Sequence, residues 1–240
     1  MKIIVCKDYA EMSAKAADIV AAQVTLKPDC VLGLATGSTP EGMYACLVKK
    51  YEAGELDFSA VRSVNLDEYY PISPENDQSY RYFMNENLFD HVNIDKTRTF
   101  VPDGQAADPA AACEAYEETV AKVGPAAVQV LGIGQNGHIG FNEPDSVLEV
   151  KTHVTGLTES TIKANARFFA SEADVPTKAL TMGIGTILGA KKIIILANGA
   201  AKHAAIAKML EGKLDTSCPA SMLNLHADVT VICDEAAYNG

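Results

Sequence analysis

Apolar residues fall along the chain in short β-branched runs separated by longer stretches of mixed composition. The strand candidates are KIIVC (2–6), CVLGLA (30–35), VRSVNL (61–66), TRTFV (97–101), AVQVLGIG (127–134), KIIILA (192–197) and DVTVIC (228–233). Between them, helical periodicity runs over 8–26, 40–54, 108–123 and 199–211, with a further helix expected at 79–92. Strand runs that alternate with helical stretches are the mark of a parallel sheet covered by helices. The pattern therefore predicts an α/β fold: one Rossmann-like domain over 1–240, with an open, mostly parallel sheet of about seven strands and helices on both faces. Residues 145–178 break the rhythm with the polar run THVTGLTESTIKANAR. An excursion of that length in a compact domain reads as a lid or a substrate loop, and 157–178 is the expected lid.

Composition narrows the picture. With 48% apolar and 21% charged residues and no low-complexity tract, ordinary globular packing is expected over all 240 residues. The six cysteines are scattered without CxxC spacing, so they read as reduced, mostly buried thiols. The opening MKIIVC is too short for a signal peptide, and no later run reaches the length a bilayer requires, so a cytoplasmic location is expected. A net charge of −11 argues against nucleic acid or an anionic membrane surface as partner, though not against a small anion held by local donors.

In an open parallel sheet, ligands bind beyond the carboxyl ends of the strands, which directs attention to four strand-to-helix turns. In GLATGSTPEGMY (33–44), a helix opening near Pro40 would aim free N–H groups at the turn Thr36-Gly37-Ser38-Thr39, making a phosphate or carboxylate cradle. Ser38 with Glu41 also fits a capping box that needs no ligand, and the missing GK[ST] argues against a nucleoside triphosphate. In VNLDEYYP (64–71), neighbouring carboxylates on an extended segment face opposite sides, which leaves Asp67 as the candidate base, unless the pair is only a solvated acidic turn.

GIGQNGHIGFNEP (132–144) satisfies GxGxxG, yet Gly140 and Pro144 discourage the helix that a dinucleotide site requires. What remains is a turn that presents Asn136, His138, Asn142 and Glu143 at the same edge as Asp67, and a histidine beside a carboxylate is suited to moving protons near neutral pH. In ANGAAKHAAIAKML (197–210), Asn198 is the expected helix cap and Lys202 lies near the first turn, where a bound anion would suit a cation. Arg167 is a candidate second cation. The five histidines show no HxH or HExxH spacing, so no metal site is expected.

Taken together, LATGSTPEGMY, NLDEYY, GIGQNGHIGFNEP, ALTMGIGTIL (179–188) and the Lys202 segment resemble, in their order, the glucosamine/galactosamine-6-phosphate isomerase family over essentially the whole chain. The resemblance implies conversion of glucosamine 6-phosphate and water to fructose 6-phosphate and ammonia, without metal or organic cofactor. It implies Asp67 as the base that moves a proton from carbon 2 to carbon 1. His138 would open the sugar ring with Glu143 and Asn136 as partners, and Thr36, Gly37, Ser38, Arg167 and Lys202 would form the phosphate site. Many relatives carry Asp where this chain has Asn136, so His138 is expected to be less basic here. Allosteric, hexameric relatives have cations where this chain has His153 and Thr155, and they continue past Gly240, so a non-allosteric monomer is expected. The alternatives are 6-phosphogluconolactonase, which shares the fold and a related turn, and a non-catalytic sugar-phosphate-binding regulator module.

Overall fold

The computed structural model describes residues 1–157, 162 and 175–240. Ten strands are defined among them: β1 (Lys2–Cys6), β2 (Val31–Leu34), β3 (Arg62–Asn65), β4 (Asp67–Tyr70), β5 (Thr99–Phe100), β6 (Val128–Gly132), β7 (His153–Gly156), β8 (Lys178–Thr181), β9 (Ile193–Ala197) and β10 (Val229–Asp234). Seven of them form one sheet in the order β1-β10-β9-β6-β2-β3-β5. Every pairing in it is parallel. These are the seven strands expected from the apolar runs, although the run at 97–101 yields only the two-residue β5, preceded by a 3-10 turn over Lys96–Arg98. Central strands are covered on both faces, so all of IIILA in β9 and all of VTVICD in β10 are buried. Burying each of the Ile193, Ile194 and Ile195 side chains contributes about 1.5–3 kcal/mol.

Among the described residues, the α-helices with defined bounds are α1 (Tyr9–Leu26), α2 (Ser38–Glu52), α3 (Tyr80–Asn87), α4 (Pro109–Val123), α5 (Ile184–Leu188), α6 (His203–Leu210) and α7 (Glu235–Asn239). The chain moves outward from β2 through α2 to β3, then returns through α4 to β6 on the other side of β2. Right-handed crossovers in opposite directions place α2 and α4 on opposite faces of the sheet. The reversal between β2 and β6 is the switch point at which a crevice opens beyond the strand ends. Among the described residues no helix is long and apolar enough to cross a membrane. The six cysteines are free, and all but Cys46 are buried.

A second, antiparallel sheet, β4-β8-β7, was not foreseen. It corrects the placement of Asp67, expected in a turn at the end of a strand and found instead as the first residue of β4. The joint is Leu66. Its N–H donates to Leu34 O in the parallel sheet at 3.1 Å, and its carbonyl accepts from Met182 N at 2.8 Å beside β8. One residue therefore carries the chain from one sheet to the other at the carboxyl edge. The expected lid at 157–178 lies for the most part outside the described residues, as does Arg167. At its root, Leu157 N donates to Thr177 O at 2.8 Å.

Candidate active site

The turn after β2 is held from behind by Tyr44, whose buried hydroxyl donates to Ala35 O at 2.6 Å. α2 opens at Ser38, with Gly37 as its N-cap at φ 91°, a backbone conformation that only glycine adopts without strain. The N-cap is thus Gly37 and not Ser38, and the Tyr9 hydroxyl bridges the first turn, donating to Ser38 O at 2.9 Å and accepting the Gly42 N–H at 2.8 Å. Helix α3 offers the contrast, because its first three N–H groups all meet side-chain oxygens. Those of Tyr80 and Arg81 donate to Glu68, at 2.8 and 2.9 Å, and that of Tyr82 donates to Ser79 Oγ at 3.0 Å. One helix start is closed by the protein itself; the other presents Thr36 and Gly37, half-buried, and the exposed Ser38 at the crevice.

The turn after β9 adjoins it. Thr39 Oγ1 donates to Asn198 Oδ1 at 3.1 Å, so Asn198 spans two turns and is not the helix cap expected of it. The cap is Gly199, at φ 84°, whose N–H is shared by both carboxylate oxygens of Asp234 at 3.0 Å. A short 3-10 turn, Ala200–Lys202, follows and brings the half-buried Lys202 to the edge that carries Gly37 and Ser38.

After β6 the glycine-rich stretch turns back on itself and opens no helix. Gly134 N donates to His138 O at 2.9 Å, and Gly137 N donates to Gly134 O at 3.0 Å. A β-carbon on Gly134 would lie 2.4–2.5 Å from the His138 ring, and one on Gly137, at φ 85°, would lie 2.5 Å from Cys218 Sγ. The glycines thus let the imidazole lie against its own loop. His138 Nδ1 stands 3.2 Å from Glu143 Oε1 without the alignment of a hydrogen bond. Asn136 Nδ2 donates to Glu143 Oε2 at 2.6 Å, while its carbonyl accepts the His138 backbone N–H at 3.2 Å. Asn136 therefore reaches the imidazole through Glu143, each carboxylate oxygen facing one nitrogen.

The same loop meets β4 and β8. Phe141 N donates to Thr181 Oγ1 at 3.1 Å, Asn142 Nδ2 donates to Met182 O at 2.8 Å, and Thr181 is the register partner of Asp67. A β-carbon on Gly140 would come within 3.4 Å of Asp67 Oδ2. Asp67 is thereby brought beside the His138 loop. Burial, reinforced by the charge of Glu68, pushes its carboxyl up to about 8. Glu68 faces the other way, and burial pushes its carboxyl up to about 7 against the pull of the backbone N–H groups of Tyr80, Arg81 and Tyr69. Sequence reasoning set Glu68 aside; the adjacency in DEYY was the available signal, since a carboxylate turned inward needs donors and the start of a helix supplies them. An aromatic group was also missed: Tyr69, Tyr80 and Phe141, with Tyr80 stacked on Phe141 at 6.0 Å between ring centres. A separate cavity of about 290 Å³ beneath α4, bounded by Val64, Val120, Gln129 and Met182, has none of the expected site residues in its lining.

The arrangement supplies two proton-handling groups, Asp67 and the His138–Glu143–Asn136 set, near donors suited to an anion. A family model described as "Glucosamine-6-phosphate isomerases/6-phosphogluconolactonase" matches residues 7–232. The chain is 56% identical to the glucosamine-6-phosphate deaminase of Clostridioides difficile (strain 630), over 99% of this chain and 95% of that protein. It is 55% identical to the deaminase of Halothermothrix orenii, over 99% of this chain and 98% of that protein. Its fold superposes on the solved structure of a monomeric glucosamine-6-phosphate deaminase with a TM-score of 0.97 at 47% identity, covering 100% and 99% of the two chains. It shares the fold of the 6-phosphogluconolactonase from Trypanosoma brucei at a TM-score of 0.81 and 20% identity, covering 99% and 97%. The chain belongs to the family of glucosamine-6-phosphate isomerases and 6-phosphogluconolactonases.

Proposed function

We infer that the chain is a glucosamine-6-phosphate deaminase, converting glucosamine 6-phosphate and water to fructose 6-phosphate and ammonia. The observation that carries the reading is the pairing, across Gly140, of the buried Asp67 carboxylate with a loop that holds His138 against Glu143. Two proton-transfer centres at one edge suit a reaction in two proton-transfer stages. Deaminases with 54–56% identity over nearly the whole chain support it, whereas the lactonases resemble the chain at only 18–20%.

In ring opening, the His138 imidazole takes the proton of the anomeric hydroxyl and delivers it to the ring oxygen, while Glu143 balances the charge on the ring and Asn136 holds Glu143. In the open chain, Asp67 removes the proton from carbon 2 and returns it to carbon 1. An amino aldose then becomes a ketose imine, whose C=N bond water cleaves to release ammonia. A base of raised basicity suits removal of a proton from carbon, provided that it is ionised when substrate arrives. Thr36, Gly37, Ser38, Arg167 and Lys202 hold the phosphate, whose remote binding energy orients carbons 1 and 2. Segment 157–178 is the lid that brings Arg167 to the phosphate, and 1–240 acts as one catalytic domain. The enzyme is cytoplasmic, monomeric and non-allosteric, and the likeness to a monomeric deaminase supports the monomer.

The test is product release from glucosamine 6-phosphate by the purified protein, with 6-phosphogluconolactone in parallel. Equal amounts of ammonia and fructose 6-phosphate are expected. Lactone hydrolysis without ammonia would replace this reading with the lactonase.

A further inference from the structure

We propose that Glu68 is a positioning residue for Asp67, fixing the strand that bears the base against the first turn of α3 and keeping a negative charge behind it. The proposal rests on the reading of Asp67 as the base. Glu68 is 2% exposed, yet all of its bonding turns away from the crevice. Oε1 accepts the N–H groups of Tyr69 at 2.9 Å and Tyr80 at 2.8 Å, and Oε2 accepts that of Arg81 at 2.9 Å. One carboxylate thus joins β4 to the start of α3 by two bonds, with a third to the N–H of the next residue in its own strand. A buried carboxylate is held there only because donors surround it, and the start of a helix supplies them pre-aligned.

The contact reaches the second proton-handling group as well. Tyr80, bound through its N–H, lies 4.7 Å from the Tyr69 ring and is stacked on Phe141, which belongs to the His138 loop. Phe141 N is in turn held by Thr181, the register partner of Asp67. Glu68 therefore anchors a closed circuit: β4, α3, the loop and β8.

Several titratable groups face this circuit. Glu68 and Tyr69 come from β4, Tyr80 and Arg81 from α3, Tyr116 from α4, and His138 with Glu143 from the loop. Burial pushes all three tyrosines well up, so they remain neutral through the working range. Within β4, α3 and α4, Glu68 is the group whose negative charge opposes ionisation of Asp67.

The experiment compares kcat, KM and the pH profile of Glu68→Gln, Glu68→Asp and Asp67→Asn, with melting curves for each. In Glu68→Gln an amide nitrogen replaces one accepting oxygen and the charge is lost. We expect kcat to fall by about tenfold or more with KM nearly unchanged, the range of a misplaced general base. The acid limb of the profile moves to lower pH, because Asp67 ionises more readily without its charged neighbour. Glu68→Asp keeps the charge but shortens the reach, so kcat falls while the acid limb stays in place. A folded Glu68→Gln protein with wild-type kcat and an unmoved acid limb overturns the proposal. If that variant does not fold, wild-type kcat in Glu68→Asp overturns it instead. Asp67→Asn separates the two readings: activity comparable to wild type there would remove Asp67 as base, whereas a dead Asp67→Asn beside an unaffected Glu68→Gln leaves the base and removes only Glu68.

Discussion

Asp67 shows how burying an ionisable side chain works against the fold. Its carboxyl is raised to about 8 by burial and by the charge of Glu68, whereas an unfolded chain would ionise it near 3.8. Between those values the native state holds a proton that the unfolded state has lost, so stability attributable to this group falls as pH rises from about 4 to about 8. Asp67→Asn removes that dependence. We expect the variant to melt above the wild type at pH 8 and close to it at pH 4, with turnover reduced by about a hundredfold or more and substrate binding retained. Paired melting curves and a binding isotherm check both halves, and equal melting temperatures at pH 8 would contradict the burial argument. Asn136 illustrates a quieter choice of side chain. An amide both donates to Glu143 and accepts from the His138 backbone, which an ionised carboxylate cannot do.

Among the elements, the His138 loop depends on absent side chains. Gly134→Ala would place a methyl group 2.4–2.5 Å from the imidazole and force the ring aside while leaving the sheet untouched. We expect kcat/KM to fall by at least about a hundredfold, as for a misplaced catalytic group, with the melting curve changed by only a few degrees. Activity near wild type would show that the ring need not lie against Gly134. The seven parallel strands were legible in the sequence because strands buried on both faces read as apolar runs. The β4-β8-β7 sheet was not, since DEYY, HVTG and KALT are four-residue segments with polar positions that pass for turns. Cap assignments went astray for a related reason. Ser38 and Asn198 have the right side chains, but glycines beside them, Gly37 and Gly199, adopt positive φ and take the position. The candidate site residues Asp67, Asn136, His138 and Glu143 stood out in the sequence because their segments follow buried strands. Glu68 did not, because two of its three donors come from α3, twelve and thirteen residues away.

For the molecule as a whole, a net charge of −11 surrounds an edge that must accept a phosphate, so attraction has to come from local donors and not from the overall field. We expect a 25.5 kDa particle in sedimentation and a hyperbolic rate curve that N-acetylglucosamine 6-phosphate leaves unchanged. A larger assembly, or a sigmoidal curve that this sugar phosphate straightens, would contradict the monomeric, non-allosteric reading. Leu66 bears on the same scale. Its N–H belongs to the parallel sheet and its carbonyl to the small one, so the chain passes from one sheet to the other within a single residue directly before Asp67. A joint that short has almost no slack. Hinging between the sheets would drag the carboxylate with it, so any opening that admits a sugar phosphate must be borne by parts of the chain other than the β3–β4 joint.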